Sequence, residues 1–233
     1  MMARRGVMGV LAGAAAAVLG GCGWLNSTYT YRYRMTVEVD TPEGMKTGSS
    51  VQEQTATKYA FPGLLGGAER DLTTRGEALA VDLPGGQTLF ALLCESRLVQ
   101  SVLDPGWKND WVESARRISG GDTPQGPIAM TPGKPVKRFD PLIGYPMLVR
   151  FRDLADPTSI EQVDPRNLVV SFGPGVQLRR ITLAVTDEDV TVGIGKRLRW
   201  LTSLRGNQLP KKSPEALGSP FGLQGMDFST EAR

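Results

Sequence analysis

The 233-residue chain contains no histidine. That absence removes the side chain whose unperturbed pKa lies nearest neutrality, and with it Ser-His-Asp and Cys-His catalysis. It also removes the commonest zinc and copper ligand. Cysteine is scarce as well: only Cys22 and Cys94 occur, so no cysteine cluster can hold zinc or an iron–sulfur centre. Charge of one sign is lacking too. The formal net charge is +3, and without Arg4 and Arg5 the chain keeps 25 basic against 24 acidic side chains. A near-neutral domain has no global field to draw in a polyanion, so no nucleic-acid partner is expected.

Phosphate loops are missing. Gly193-Ile194-Gly195-Lys196 is the nearest approach, but a Walker loop needs a glycine five positions before the final Gly-Lys pair and Ser or Thr after it, where Val190 and Arg197 stand. No GxGxxG occurs either, and no cofactor is expected. The acidic triplet Asp187-Glu188-Asp189 lacks the alternating ligands and distant glutamate of a calcium loop and reads as a solvated turn. What the chain has in excess is Gly (28) and Pro (16), about a fifth of all residues against a usual share of about 12%. That excess favours strands and loops over a helical bundle.

The first segment has a distinct organisation. Arg4 and Arg5 form a positive head, and Gly6 to Gly21 carry no charge. The apolar stretch of about 15 residues falls short of the roughly 20 that a spanning helix needs. A charged head, a short apolar run and a small-residue end are the parts of a secretory signal. Leu19-Gly20-Gly21-Cys22 closes the run and resembles the lipobox of bacterial lipoproteins. In that family the cysteine sulfur receives a diacylglycerol, the signal is cleaved before the cysteine, and the new amine is acylated with a fatty acid such as palmitate. The resemblance implies that residues 1–21 are removed and that Cys22 becomes the lipid-modified first residue. Several acyl chains exceed what stable anchoring needs, since each buried CH₂ contributes about 0.8 kcal/mol. Gly23 stands where an aspartate marks inner-membrane retention in enterobacterial lipoproteins. The resemblance therefore implies the outer membrane, on its periplasmic face. Residues 22–28 read as a tether, with Trp24 suited to the lipid–water boundary.

Beyond the tether, Tyr29 to Val39 alternates strictly. Tyr29, Tyr31, Tyr33, Met35, Val37 and Val39 share one face, while Thr30, Arg32, Arg34, Thr36 and Glu38 share the other. Period two with aromatic and β-branched residues predicts a strand. Thr41-Pro42-Glu43-Gly44 predicts a turn, and Gly48 to Thr57 the returning arm of a hairpin. Glu77 to Leu83 and Gln87 to Leu93, flanking Pro84-Gly85-Gly86, predict a second hairpin whose apolar second arm is a central strand. Pro62 to Thr74 reads as a glycine-rich surface loop. Trp107 to Ile118 follows helical spacing and stops at Gly120-Gly121. Asp122 to Pro141, with five prolines, reads as a long loop or extended arm. Tyr145 to Phe151 and Val176 to Thr186 predict further strands. Asp156-Pro157 and Asp164-Pro165 predict short helices over 157–162 and 165–172. Cys94 ends an apolar run and reads as a buried small hydrophobe.

The predicted architecture is a strand-rich α+β domain over 29–209, built from antiparallel sheet, hairpins and a few short helices, with 210–233 as a loosely packed tail. Two surfaces are candidates for binding. Lys196, Arg197, Arg199, Arg205, Lys211 and Lys212 form a basic run with Trp200 inside it, suited to anionic lipid head groups or a cell-wall polymer. Tyr29, Tyr31 and Tyr33 form the other, a potential stacking surface, although strand residues facing a core give the same pattern. The segments Tyr31–Ser50 and Gly173–Val185 resemble those of uncharacterised lipoproteins and exported proteins of proteobacteria, which implies a shared domain and no particular activity. Taken with the missing histidine and motifs, the expectation is a non-enzymatic binding or structural lipoprotein of the cell envelope, partnered by an envelope protein or a cell-wall polymer. The alternative is an envelope hydrolase, or a hydrolase inhibitor, that works without histidine.

Overall fold

The computed structural model describes residues 26–60, 69–93, 96–106, 108, 110–131, 144–204, 209 and 223–230. The first alternating segment forms β1 (Ser27–Thr41) and pairs in register with β2 (Gly44–Lys58) along its whole length. Thr41 faces Gly44, so Pro42 and Glu43 make the turn between them. Proline presets the first turn angle, and Gly44 takes φ of +107°, a left-handed conformation that side chains resist. Each strand of about 15 residues spans roughly 50 Å.

Three more segments complete a five-stranded antiparallel sheet in the order β3-β2-β1-β9-β6: β3 (Arg70–Arg75), β6 (Ile128–Ala129) and β9 (Gln177–Val185). A second antiparallel sheet has the order β4-β5-β7-β8, from β4 (Leu79–Leu83), β5 (Gln87–Ala91), β7 (Leu148–Phe151) and β8 (Ile160–Gln162). Among the described residues four short helices accompany the sheets: α1 (Ser96–Leu103), α2 (Trp111–Ser119), α3 (Leu168–Phe172) and α4 (Leu201–Leu204). The fold class is thus the strand-rich α+β arrangement that the alternation predicts, and β5 lies centrally between β4 and β7.

The alternation of β1 decides the layering. Tyr31, Tyr33, Met35, Val37 and Val39 are all buried, and together with Leu79, Val81, Leu89 and Leu148 of the second sheet they form the main core. Full burial of one such aliphatic side chain contributes about 1.5–3 kcal/mol. The same core is closed by α1 and α2, through Val99, Leu103, Val112, Ala115 and Ile118. Gly48 marks a close approach of the two sheets. A Cβ there would lie 2.3 Å from the carbonyl oxygen of Ala80, so only glycine lets β4 cross over β2. The opposite face of the second sheet carries its own core, in which Phe90, Val149, Phe151 and Ile160 pack against Ile194, Leu198, Leu201, Leu223 and Phe228.

Several sequence expectations need correction. Pro62 to Thr74 is not loop throughout: Arg70–Arg75 adds to β2 as an edge strand, its Leu72 opposite Ala56. Its single apolar residue and two terminal arginines hide the strand from a hydrophobic reading, which is how edges are commonly protected. The helix predicted from Trp107 begins at Trp111, because the Asp110 carboxylate accepts hydrogen bonds from the N–H groups of Val112 and Glu113 and so caps the helix there; Trp107 lies outside the described residues. Over 157–162 only Pro157–Ser159 turns, as a 3₁₀ segment capped by Asp156, and Ile160–Gln162 joins the sheet, with Ile160 buried. The helix predicted from Pro165 starts at Leu168. Helix α1, absent from the sequence reading, buries Val99 and Leu103. Of the segment assigned to a loosely packed tail, the described part is packed: Leu223 and Phe228 are buried, and Ser229 bridges Glu77.

Candidate functional site

Cys22, Arg205, Lys211 and Lys212 lie outside the described residues, as does Cys94. Lys196, Arg197 and Arg199 are described and exposed, on and just after a 3₁₀ turn, Ile194–Lys196. The structure does not leave all three available. Arg197 grips Asp82 of β4 through two hydrogen bonds, of 2.5 and 2.7 Å, and the guanidinium holds the Asp82 carboxyl below the usual carboxylate range. Trp200 is not a surface stacking residue either. Its Nε1–H donates to the Leu154 carbonyl at 2.9 Å, and its ring packs on Phe151 and Phe228. The middle of the basic run therefore fastens the C-terminal segment onto the second sheet, and among the described residues Lys196 and Arg199 remain as its outward cations.

The tyrosine face divides in the same way. Tyr31 and Tyr33 are buried, and their hydroxyls donate to Gln54 Oε1 and Gln52 Oε1, each at 2.5 Å. Burial pushes the Tyr31 phenol well above its ordinary pKa. These two rings are core, not a stacking surface. Tyr29, at the start of β1, is only partly buried.

The acidic triplet is exposed, as the solvated-turn reading expects, and two of its members also make ion pairs. After β9 the chain crosses the outer face of the five-stranded sheet, where Glu188 pairs with Arg34, and Asp189 with Arg32 at 3.3 Å. Thr191 then exchanges two hydrogen bonds with Val51, taking the place beside β2 that β3 vacates after Arg75. The crossing ends where the Ile194 N–H donates to Glu77 Oε2 at 2.7 Å, while Ser229 Oγ donates to Glu77 Oε1 at 3.3 Å. Glu77 is buried, and both its oxygens are committed to holding these two segments.

A groove of about 440 Å³ opens between α1 and β6. Leu98, Ser101 and Val102 form one wall, and Ile128, Ala129, Thr131 and Gly144 the other. Among the described residues the lining is mostly apolar, with two hydroxyls and no titratable side chain. Such a groove favours an apolar segment over proton-transfer chemistry. Sequence reasoning missed it because one wall is α1 and the other is a two-residue edge strand; only the Leu98, Val99, Val102, Leu103 spacing could have disclosed the helix.

Among the described residues no helix is long and apolar enough to cross a membrane. No family model, curated protein or solved structure matches this chain.

Proposed function

We propose that this chain is a lipoprotein of the bacterial cell envelope, anchored through Cys22 and acting by binding or as a structural element, without catalysis of its own. The observation that carries this reading is the position of β1. It enters the sheet at Ser27, five residues past Cys22, and the hairpin it builds supplies the main core. Ser27 and Thr28, the last two residues of the expected tether, are thus the first of β1, and the buried core begins at Tyr31. Gly23 favours the periplasmic face of the outer membrane. The mostly apolar groove favours an envelope protein as partner, and Lys196 and Arg199 keep an anionic cell-wall polymer in view.

The alternative, a hydrolase or hydrolase inhibitor acting without histidine, would need accessible acid–base groups that converge. Glu77 and Ser229 come together, but both are buried and hydrogen-bonded, so this pair favours a latch. Detergent-phase partitioning tests the proposal. The full chain produced in a bacterial host enters the detergent phase, and the chain starting at Thr28 stays in buffer. Equal partitioning of the two would sink it. Capture from envelope extract on the soluble domain then names the partner.

A further inference from the structure

We infer that the Cys22-proximal end of the hairpin rests on the bilayer that holds the anchor, with Tyr29 and Tyr59 at the level of the lipid head groups. This rests on the lipid-anchor reading. Covalent geometry sets the scale: five residues from Cys22 to Ser27, at no more than about 3.5 Å each, keep the end of β1 within about 18 Å of the acylated sulfur. Among the described strand residues that end is marked by one row, Ser27, Lys58 and Arg70, across three strands. Tyr29 lies two residues further along β1, and Tyr59 follows Lys58, with its N–H bonded to the Glu69 carbonyl at 3.0 Å. Both rings are partly exposed, and a phenol with an apolar body and a polar tip suits the lipid–water boundary.

Charge is the smaller part of this contact. Arg70 is paired with Glu69 at 3.6 Å and with Asp110 at 3.1 Å, which leaves Lys58 as the exposed cation of this row among the described residues, and one such charge contributes only about 1 kcal/mol at an anionic surface. The basic turn is the competing surface, and its position counts against it. Ile194 hangs on Glu77, whose carbonyl accepts the Ser50 hydroxyl, and Ser50 faces Met35. Met35 is eight residues along β1 from Ser27, about 27 Å at strand rise. Attraction between exposed charges fades over a Debye length of about 8 Å at physiological salt.

The test is hydrogen exchange of the lipidated full chain on phosphatidylcholine vesicles, compared with its Cys22→Ser form in buffer. Residues 27–31 and 56–60 exchange several-fold more slowly on the vesicles, and about 0.5 M salt leaves that protection intact. Tyr59→Ser weakens it, while exchange across β4 and β5 stays unchanged as the control for folding. A vesicle-bound protein with no added protection at those segments overturns the inference and leaves the anchor standing. Salt-sensitive protection around 194–200 instead assigns the contact to the basic turn and also overturns it. A chain that carries no lipid and ignores the vesicles removes both readings at once.

Discussion

Arg197 and Asp82 form a two-pronged ion pair between the C-terminal turn and the outer position of β4, with N–O distances of 2.5 and 2.7 Å. Both side chains are more than a third exposed, so solvent screening keeps the contribution small. Arg197→Ala costs about 0.5 kcal/mol, within the range of roughly 0.2–1 for exposed pairs. The Asp82 pKa is depressed in the folded chain, chiefly by the hydrogen bonds from Arg197. The stabilisation is therefore present above the unfolded carboxylate value of about 3.9 and is lost as pH falls through the lower folded value. Urea unfolding at neutral pH and near pH 3 measures this: the gap between wild type and Arg197→Ala narrows in acid.

Gly48→Ala destabilises through contact with backbone. The new Cβ would lie 2.3 Å from the Ala80 carbonyl oxygen and 3.0 Å from Val81, and strain of this kind in a packed interior costs about 1–3 kcal/mol. Gly195→Ala is the comparison. Nothing lies within 4 Å of its Cβ position, so its effect stays within about 0.5 kcal/mol. Denaturant midpoints of the two variants check the difference.

Asp110→Ala removes the cap of α2 and a partner of Arg70 together, since one carboxylate oxygen accepts from Val112, Glu113 and Arg70. A lost cap costs about 1 kcal/mol. Asp110→Asn keeps an acceptor at the cap and recovers most of it, which thermal unfolding of the two variants resolves.

Glu77→Leu leaves the Ile194 N–H without its acceptor in a buried place and removes the bond from the Ser229 hydroxyl. An unsatisfied buried group costs about 1–3 kcal/mol. The loss falls where the crossing from β9 and the C-terminal segment meet. Hydrogen exchange should therefore quicken at 191–198 and 225–230 before it does in the β1–β2 hairpin.

What was legible in the sequence follows from how residues are buried. β1 is half-buried along its length, so its inner and outer faces write period two into the chain, and Pro42 with Gly44 marks the turn. Edge strand β3 buries little and carries arginine at both ends, so no apolar period announces it. Ile160–Gln162 follows a capped proline turn that looks like a helix start, and only its pairing with β7 makes it a strand. The basic run could be read as residues but not as partners. Asp82 lies 115 positions before Arg197, and no local pattern records such a meeting. The tyrosine face was ambiguous for the same reason: its two buried members are fixed by Gln52 and Gln54 on the neighbouring strand.

The central claim is that Cys22 carries the lipid that places this domain at a membrane. Metabolic labelling with a palmitate analogue in a bacterial host tests it most directly. The wild-type chain incorporates label and migrates as the processed form without residues 1–21, while Cys22→Ser takes up no label and accumulates as precursor. Label retained on Cys22→Ser, or absent from the wild type, contradicts the claim.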